Sequence, residues 1–177
     1  QQIMNRTKRN FGLVLLILAM AAFLLTQISP LLTQGPSSAK RQTTKAYEPP
    51  FTHEADGQFL DSNGDVIANF RVELAESAQD VQVGMMYRKS MAADMGMLFL
   101  MPSNQMQSFW MKNTYVSLDI IFLSVDNRVV SIQADAVPLS AQSLPSTGPA
   151  NKILELPGGT CANLGIEIGN LWSWERL

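Results

Sequence analysis

The longest apolar run of the chain constrains its organisation first, because such a run cannot lie on the surface of a water-soluble domain. Residues 11–25 read FGLVLLILAMAAFLL and carry no charge, and an uncharged TQISPLL extends the run to residue 32. Residues 1–10, on its N-terminal side, are basic. Residues 11–25 fit the core of a signal peptide, whereas residues 11–32 are long enough to cross about 30 Å of hydrocarbon. We predict a signal anchor at 11–32, with a cleaved signal peptide as the alternative.

An anchor of this kind predicts where the rest of the protein lies. The basic flank, residues 1–10, stays in the cytoplasm by the positive-inside rule, so the remainder is expected outside it, in the periplasm or the extracellular space. The membrane is then a partner through this helix, and a cleaved signal would instead give a secreted protein. Residues 33–56 are rich in Gln, Ser, Thr, Lys and Pro without apolar periodicity, and predict a flexible linker. Residues 57–177 are expected to form one globular domain.

The charge of the chain is distributed unevenly. Residues 1–50 contain six Lys/Arg and one acid, whereas residues 51–177 contain seven Lys/Arg and fourteen acids, a net charge of −7. A domain this acidic offers no continuous positive surface for phosphate backbones, so we do not expect it to bind nucleic acid.

Several short segments of the body have the composition of β-strands. In VIANFRVELA, which ends at Ala75, apolar and polar residues alternate, and the turn-rich DSNGD before it predicts a hairpin. A capping box at Ser77 and Asp80 predicts a short helix over residues 78–87. Further strand-like segments are GMLFLM, QSFWMK, VSLDIIFLS, RVVSIQADAV, NKILELPGG and IEIGNLWSW. The predicted fold is mainly β, a small barrel or a folded-over antiparallel sheet, with one or two short helices.

Asp119 stands out because it interrupts an apolar strand-like run. Leu118, Ile120 and Phe122 form one face of that run, and Asp119 projects from the other beside apolar neighbours. Since an unpaired buried carboxylate is costly, we expect it to pair with Lys112 or Arg88, or to be capped by backbone N–H groups. One interpretation is a structural ion pair or turn. The other places Asp119 in the wall of a pocket.

The neighbouring FWMKNT supplies the other candidates for such a pocket. Asn113 and Thr114 lie where the strand-like alternation breaks, which is typical of a turn, although turn residues also line binding sites. Alternation places Phe109 and Met111 toward the core and Trp110 and Lys112 on the opposite face. The candidate ligand-binding residues are Arg88, Trp110, Lys112, Asn113, Thr114 and Asp119.

Metal and catalytic signatures are weak in this sequence. Eight methionines lie between Met85 and Met111, and thioethers select Cu(I), but no His or Cys accompanies them and Met also fills cores. Cys161, the single cysteine, is expected to be a small buried residue. The body holds no phosphate-binding Gly loop or Cys/His metal set, so we predict neither a cofactor nor a metal, and assign no catalytic residue.

Five motifs in order, GMMYR, GMLF, FWMKNT, LDIIF and LELPGG, resemble the family called domain of unknown function 192 over residues 68–174. The resemblance implies a compact, mainly β domain, often exported or tethered to the bacterial envelope, with no established reaction. The family commonly carries an arginine before the helical glycine, where this chain has Gln82. The family motif places its hallmark positions at Gly84, Met86, Arg88, Gly96, Phe99, Trp110, Met111, Lys112, Asn113, Thr114, Asp119 and Glu155.

Taken together, these features favour a non-catalytic binding or accessory domain facing the envelope, for a small polar ligand, a glycan or a partner protein. The alternative is an enzyme acting on envelope carbohydrate, with Asp119 as acid or base and Lys112 tuning it. Methionine-based copper handling is a minor alternative.

Overall fold

The computed structural model describes residues 48–177 and, before them, Met20 alone. The predicted basic flank, the rest of the predicted membrane segment 11–32 and the linker up to residue 47 lie outside the described residues. Among those that are described, no helix is both long and apolar enough to cross a membrane. The first strand begins at Ala55, two residues before the predicted start of the domain.

Nine strands and two helices follow one another in residues 48–177. They are β1 (Ala55–Leu60), β2 (Val66–Ala75), α1 (Ala78–Val83), β3 (Met95–Gln105), β4 (Ser108–Phe109), β5 (Leu118–Leu123), β6 (Val129–Ala136), β7 (Leu144–Pro145), β8 (Ala150–Pro157), α2 (Thr160–Leu164) and β9 (Leu171–Arg176).

Seven of these strands form one sheet in the order β6-β5-β8-β3-β2-β1-β9, and β4 and β7 form a separate two-stranded sheet. The prediction of a mainly β fold with two short helices is confirmed. The predicted antiparallel arrangement needs one correction: β2 and β3 are parallel, because the connection through α1 returns the chain to the same end of the sheet.

Within residues 48–177, the two edges of the large sheet approach each other near one bridge. A single bridge joins Arg128, next to β6, to Leu171 of β9. Around it the backbone N–H of Val129 donates to Asn170 and that of Trp172 donates to Asn127. The sheet curls but is not closed, so the prediction of a small barrel is wrong.

The hairpin between β1 and β2 forms as predicted. Asp61 Oδ1 accepts the backbone N–H groups of Asn63 and Asp65 at 2.8 and 2.9 Å, and Gly64 takes a left-handed φ of 89° that suits glycine. The hydrogen bond from the Asp65 N–H is the largest cause that holds the pKa of the Asp61 carboxyl below its usual value, and the bond from Asn63 adds to it.

Helix α1 begins as the sequence predicts and ends earlier. Ser77 and Asp80 form the reciprocal capping box, but the helix stops at Val83 rather than at residue 87. The reason is Gly84, which has a φ of 46° and lies so close to Phe99 that a Cβ would approach that ring to 2.9 Å. The chain therefore turns at Gly84 and packs tightly against β3.

The core occupies both faces of the sheet. Strand β5 is buried at all six positions: Leu118, Ile120 and Phe122 contribute to one cluster, and Ile121 and Leu123 to the other. The two faces predicted from alternation are confirmed, and both are covered. The predicted strand QSFWMK is shorter than expected, because only Ser108–Phe109 is a strand, paired with Leu144–Pro145.

Candidate functional site

Asp119 lies entirely inside the domain. Its Oδ1 accepts the backbone N–H groups of Asp135 at 2.9 Å and Gly159 at 3.1 Å, and its Oδ2 accepts that of Cys161 at 2.7 Å. Three charge-assisted bonds compensate the loss of water around this carboxylate. One side chain of β5 thus ties together the end of β6 and the first turn of α2.

Among the described residues, no ion pair links Asp119 to Lys112 or Arg88. Of the three partners expected from the sequence, only the backbone N–H groups are found. Asp119 therefore serves the structural role that was one of its two interpretations, and the geometry gives it no access to a pocket.

Arg88 lies in a second place, where it is paired with a largely buried carboxylate. Its two terminal nitrogens donate to the two oxygens of Glu73 at 2.7 and 2.8 Å, and the side chains of both residues are largely buried. Glu155 projects from the same sheet face as Glu73: the two acids are the partners of Met97 on the neighbouring strands β8 and β2.

Glu155 is a neutral acid near pH 7. Complete burial raises the pKa of its carboxyl to about 8, and the positive charge of Arg88 opposes this only in part. Arg88 Nε and Glu155 Oε2 are both buried without a hydrogen-bond partner. Together with Glu73, the three groups form a buried polar cluster in which one carboxylate neutralises the guanidinium and the other holds its proton.

Trp110 and Lys112 lie together on the surface, as alternation predicted. The Lys112 Nζ is 5.3 Å from the centre of the Trp110 ring, within the range of a cation–π contact. Trp110 is nonetheless 48% exposed, while the intervening Met111 is fully buried and Phe109 packs against the same core cluster. This short segment thus alternates between anchors in the core and side chains in solvent.

Asn113 and Thr114 connect this segment to two other loops. The Asn113 carbonyl oxygen accepts the Tyr87 N–H at 2.9 Å, and its side-chain amide donates to the Tyr87 hydroxyl at 3.1 Å. The carbonyl oxygen of the buried Thr114 accepts the N–H of Leu139 at 3.0 Å. Both residues therefore join loops, and Asn113 has the left-handed backbone angle of the turn interpretation.

Three residues at this junction have left-handed backbone angles. Tyr87, Asn113 and Leu139 have φ values of 66°, 57° and 61°. Asparagine tolerates this conformation, but for Tyr and Leu it is strained by about 1–3 kcal/mol each. Strain of this kind clusters at functional sites, so the junction is the first place to look for one.

A groove of about 340 Å³ opens beside Trp110. One part of its wall is apolar and aromatic, and another consists of amides and hydroxyls. None of the described residues that line it is charged. Ser108 and Ser143 share a hydrogen bond of 2.7 Å between their hydroxyls across β4 and β7. The lining residues are Val81, Gln82, Met101, Gln107, Ser108, Phe109, Trp110, Ala141 and Ser143.

The six candidate residues therefore occupy three places rather than one pocket. Trp110, Lys112, Asn113 and Thr114 share the loop next to the groove, and only Trp110 lines it. Arg88 belongs to the buried polar cluster, and Asp119 to the junction of β5, β6 and α2.

A larger groove of about 530 Å³ crosses the polar face of β1, β2 and β9. Arg71 and Asp94, which line it, pair with each other at 2.8 Å in an exposed ion pair. The groove contains none of the candidate residues, and none of its described lining residues has an unpartnered buried polar atom. We interpret it as a solvated sheet face.

Five of the eight methionines and the cysteine lie in or against the core. Met85, Met97 and Met111 are buried in one core cluster, and Met91 and Met101 pack against it, which is the core-filling role weighed against copper binding. Cys161 is buried, and burial, with the Asp119 carboxylate next in effect, raises the pKa of its thiol.

Several residues of interest were not among the candidates. Gln82 and Ser143 line the groove but come from distant segments, so no spacing in the sequence could place them beside Trp110. Tyr87 was missed because its strained φ has no signature in the sequence. Glu155 was a position of the family motif, and a lone acid in the apolar run ILEL was the available signal.

Comparison with known proteins places the chain among similar sequences and structures. The model of the family DUF192, described as "Uncharacterized ACR", matches residues 59–174. No curated protein matches the chain.

Two similar crystal structures cover the same domain. One is a proposed transcription regulator from Sinorhizobium meliloti 1021, with 32% identity and a TM-score of 0.67, covering 71% of this chain and 98% of that one. The other is a protein of unknown function from Novosphingobium aromaticivorans DSM 12444, with 36% identity and a TM-score of 0.66, covering 72% of this chain and 91% of that one. The motifs, the fold and the family match agree, and the chain belongs to the DUF192 family.

Proposed function

We propose that this domain is a non-catalytic binding module of the cell envelope that takes a short neutral saccharide in the groove beside Trp110. The predicted anchor at residues 11–32 would hold it at the membrane, outside the cytoplasm. The observation that carries the proposal is the composition of the groove, an exposed indole next to uncharged amide and hydroxyl groups.

This composition matches the chemistry of a sugar. The faces of a pyranose ring are apolar C–H surfaces that stack on an aromatic ring, and its hydroxyls exchange hydrogen bonds with amides and hydroxyls. The side chain of Gln82 is exposed, and the Ser108 and Ser143 hydroxyls lie at the rim, where they can reach ligand hydroxyls. None of the described lining residues is charged, and a neutral ligand requires no compensating charge from them. Lys112, beside the Trp110 ring, is the nearby cation that an acidic oligosaccharide would test.

The volume of the groove favours a small ligand. At about 340 Å³ it lies at the lower end of the range typical of small-molecule sites, which is enough for one or two sugar units. A shallow site of this size supports weak affinity, with a Kd of about 0.1–1 mM, corresponding to about 4–5.5 kcal/mol.

The geometry supports binding better than catalysis by Asp119 and Lys112. Asp119 is fully buried and its oxygens accept three backbone N–H groups, so a substrate would have to displace structural hydrogen bonds to reach it. Lys112 contacts Trp110 on the surface instead. Glu155, another acid of the family motif, is buried in the core.

One similar structure is named as a proposed regulator of transcription. Regulators that act on DNA directly carry a positive surface, whereas residues 51–177 of this chain have a net charge of −7. Nucleic-acid binding is therefore not the function we propose.

The test compares two aromatic substitutions in the described domain, residues 48–177. Trp110 and Tyr115 are exposed to the same extent, 48% and 49%, but only Trp110 lines the groove. Neutral gluco-, manno- and N-acetylglucosamine oligosaccharides, with an acidic uronate oligomer as comparison, are titrated by calorimetry or amide NMR. Trp110→Ala should weaken binding of a neutral oligosaccharide by about tenfold, because stacking contributes about 1 kcal/mol or more, and Tyr115→Ala should leave it unchanged.

Two results would contradict the proposal. One is the absence of binding by every neutral oligosaccharide at about 10 mM, well above the expected Kd. The other is an equal loss of binding in the Trp110 and Tyr115 variants, which would place the ligand elsewhere. Thermal unfolding of both variants checks that each is folded.

A further inference from the structure

The chain enters the described domain beside one of its strained loops. Glu48, the first residue of the described domain, accepts the backbone N–H of Lys89 at 2.7 Å through its carboxylate. Lys89 is two residues from Tyr87, so the segment that leads from the predicted membrane anchor reaches the domain at this loop.

Three loops meet there, and we call them the three-loop end: residues 84–89, 110–116 and 136–141. The Tyr87 N–H donates to the Asn113 carbonyl oxygen at 2.9 Å, which joins the first loop to the second. The N–H of Leu139 donates to Thr114 at 3.0 Å, and that of Met111 donates to Ser140 at 3.0 Å, which joins the second loop to the third. The end is thus one hydrogen-bonded surface rather than three independent segments.

Large apolar side chains stand in solvent on this surface. Tyr87, Tyr115, Val137 and Leu139 are 45%, 49%, 68% and 56% exposed. Tyr87 and Leu139 are held in this position by left-handed backbone angles that cost free energy. Exposed apolar residues concentrated on joined loops are typical of an interaction surface.

The charge of the three-loop end differs from that of the domain. Arg88 is neutralised by Glu73, which leaves Lys89 and Lys112 as the exposed cations of these loops. Glu48 accepts the backbone N–H of Lys89 and makes no ion pair with its side chain. The nearest acid along the third loop, Asp135, directs its carboxylate toward the turn at residues 158–159. A positive tip on a domain with a net charge of −7 is complementary to an anionic surface.

We propose that the three-loop end docks on the lipid bilayer, with Tyr87, Tyr115, Val137 and Leu139 in the headgroup region and Lys112 toward anionic phosphates. Tyrosine and Trp concentrate at membrane interfaces because one part of each ring is apolar and the other polar, and Lys extends its ammonium to the headgroups. This chemistry favours a lipid surface over a protein partner.

The predicted linker is short enough to keep the domain near the bilayer. Residues 33–47 separate the end of the predicted anchor from the described domain, and a flexible chain of this length has an average span of about 20 Å. A domain tethered so closely meets the bilayer at an effective concentration in the millimolar range, so a weak contact is sufficient. Because the linker joins beside the three-loop end, that end is the one that can reach the bilayer with the least extension.

The experiment places a fluorescent label on the full chain reconstituted in lipid nanodiscs. Leu139→Cys carries an environment-sensitive dye, and Val137→Cys provides the same reading if the first variant does not fold. The control is Ile168→Cys, 69% exposed, in the turn whose Gly169 N–H bonds to Val129, at the opposite end of β6 from Ala136. Parent protein treated with dye measures reaction at the buried Cys161.

In nanodiscs of phosphatidylcholine with phosphatidylglycerol, doxyl-labelled lipids should quench the dye at residue 139 several-fold more than at residue 168, with a blue shift of its emission. Lys112→Glu should reduce this quenching in the anionic nanodiscs and have little effect in phosphatidylcholine alone.

Equal quenching at the two positions would overturn the proposal. So would a label at residue 139 that is shielded only when extracted envelope proteins are added, because a protein partner would then cover the loops. Neither result bears on the saccharide groove, which the Trp110 variant tests separately.

Discussion

The neutral acid at Glu155 makes the stability of the domain depend on pH in an unusual direction. Its pKa is about 8 in the folded domain and 4.5 is the ordinary value, so between these limits the folded chain holds a proton that the unfolded chain has released. Unfolding then releases a proton, and the free energy of unfolding falls as the pH rises. Most carboxylates act in the opposite direction and below about pH 5.

The size of the effect follows from the two pKa values. Each pH unit within the window changes the free energy of unfolding by up to about 1.4 kcal/mol, and from pH 5 to pH 8 the loss from this group amounts to about 3 kcal/mol. This is a large part of the 5–15 kcal/mol that is typical of a domain. The cause is burial, and the loss should therefore disappear when the group cannot ionise.

Glu155→Gln removes the ionisable carboxyl and keeps almost the same side-chain shape. Urea unfolding of the parent domain and of Glu155→Gln is measured at pH 5, 6, 7 and 8. The free energy of unfolding of the parent minus that of the variant should fall by about 3 kcal/mol across this range. All other titratable groups are shared by both proteins and cancel in the difference.

Glu175→Gln is the matched control, because Glu175 is exposed. Its stability should follow that of the parent at every pH. The reasoning is refuted if the parent and Glu155→Gln curves stay parallel from pH 5 to pH 8, since Glu155 would then be ionised in the folded domain.

Three further predictions concern separate parts of the molecule. Asp119→Asn should lower the free energy of unfolding by about 2–4 kcal/mol in urea titration, because the amide cannot provide all of the charge-assisted bonds to three backbone N–H groups; an unchanged midpoint would contradict this role. Gly57→Ala should cost more than about 3 kcal/mol, read as a fall in Tm, since its Cβ would lie 2.1 Å from the Trp172 ring, whereas Gly64→Ala has open space and should cost less. Gln82→Arg adds a charge to the neutral groove and should shift binding from neutral toward acidic oligosaccharides in the same calorimetric titrations. An unchanged preference for neutral oligosaccharides would contradict this prediction.

The elements that the sequence predicted well are those with short-range signals. The hairpin at Asp61 and the capping box at Ser77 depend on hydrogen bonds within four residues, and both form. The two faces of β5 follow from the period of a strand, which needs no knowledge of its neighbours. The end of α1 was missed because the close approach of Gly84 to Phe99 is a tertiary contact.

The arrangement of the candidate site was less accessible for the same reason. Asp119 could be identified as a charge that needs partners, but the choice between a side chain and the backbone depends on where β6 and α2 end relative to β5. The parallel pairing of β2 and β3 was likewise invisible in their alternation, because parallel and antiparallel neighbours impose the same period of two on a half-buried strand.

The segment FWMKNT explains how one loop can serve both proposed surfaces. Met111 and Thr114 are buried, and they fix the backbone on either side of the exposed Lys112, while Phe109 packs against Phe99 and Phe122 at ring distances of 5.0 and 6.1 Å. Because these anchors belong to the core, Trp110 is held in place before any ligand arrives, and binding at the groove requires little ordering of the loop. The same anchors fix the backbone of the loop that the groove and the three-loop end share. The buried residues of this segment, Met111 and Thr114, are therefore as necessary to the site as the exposed Trp110.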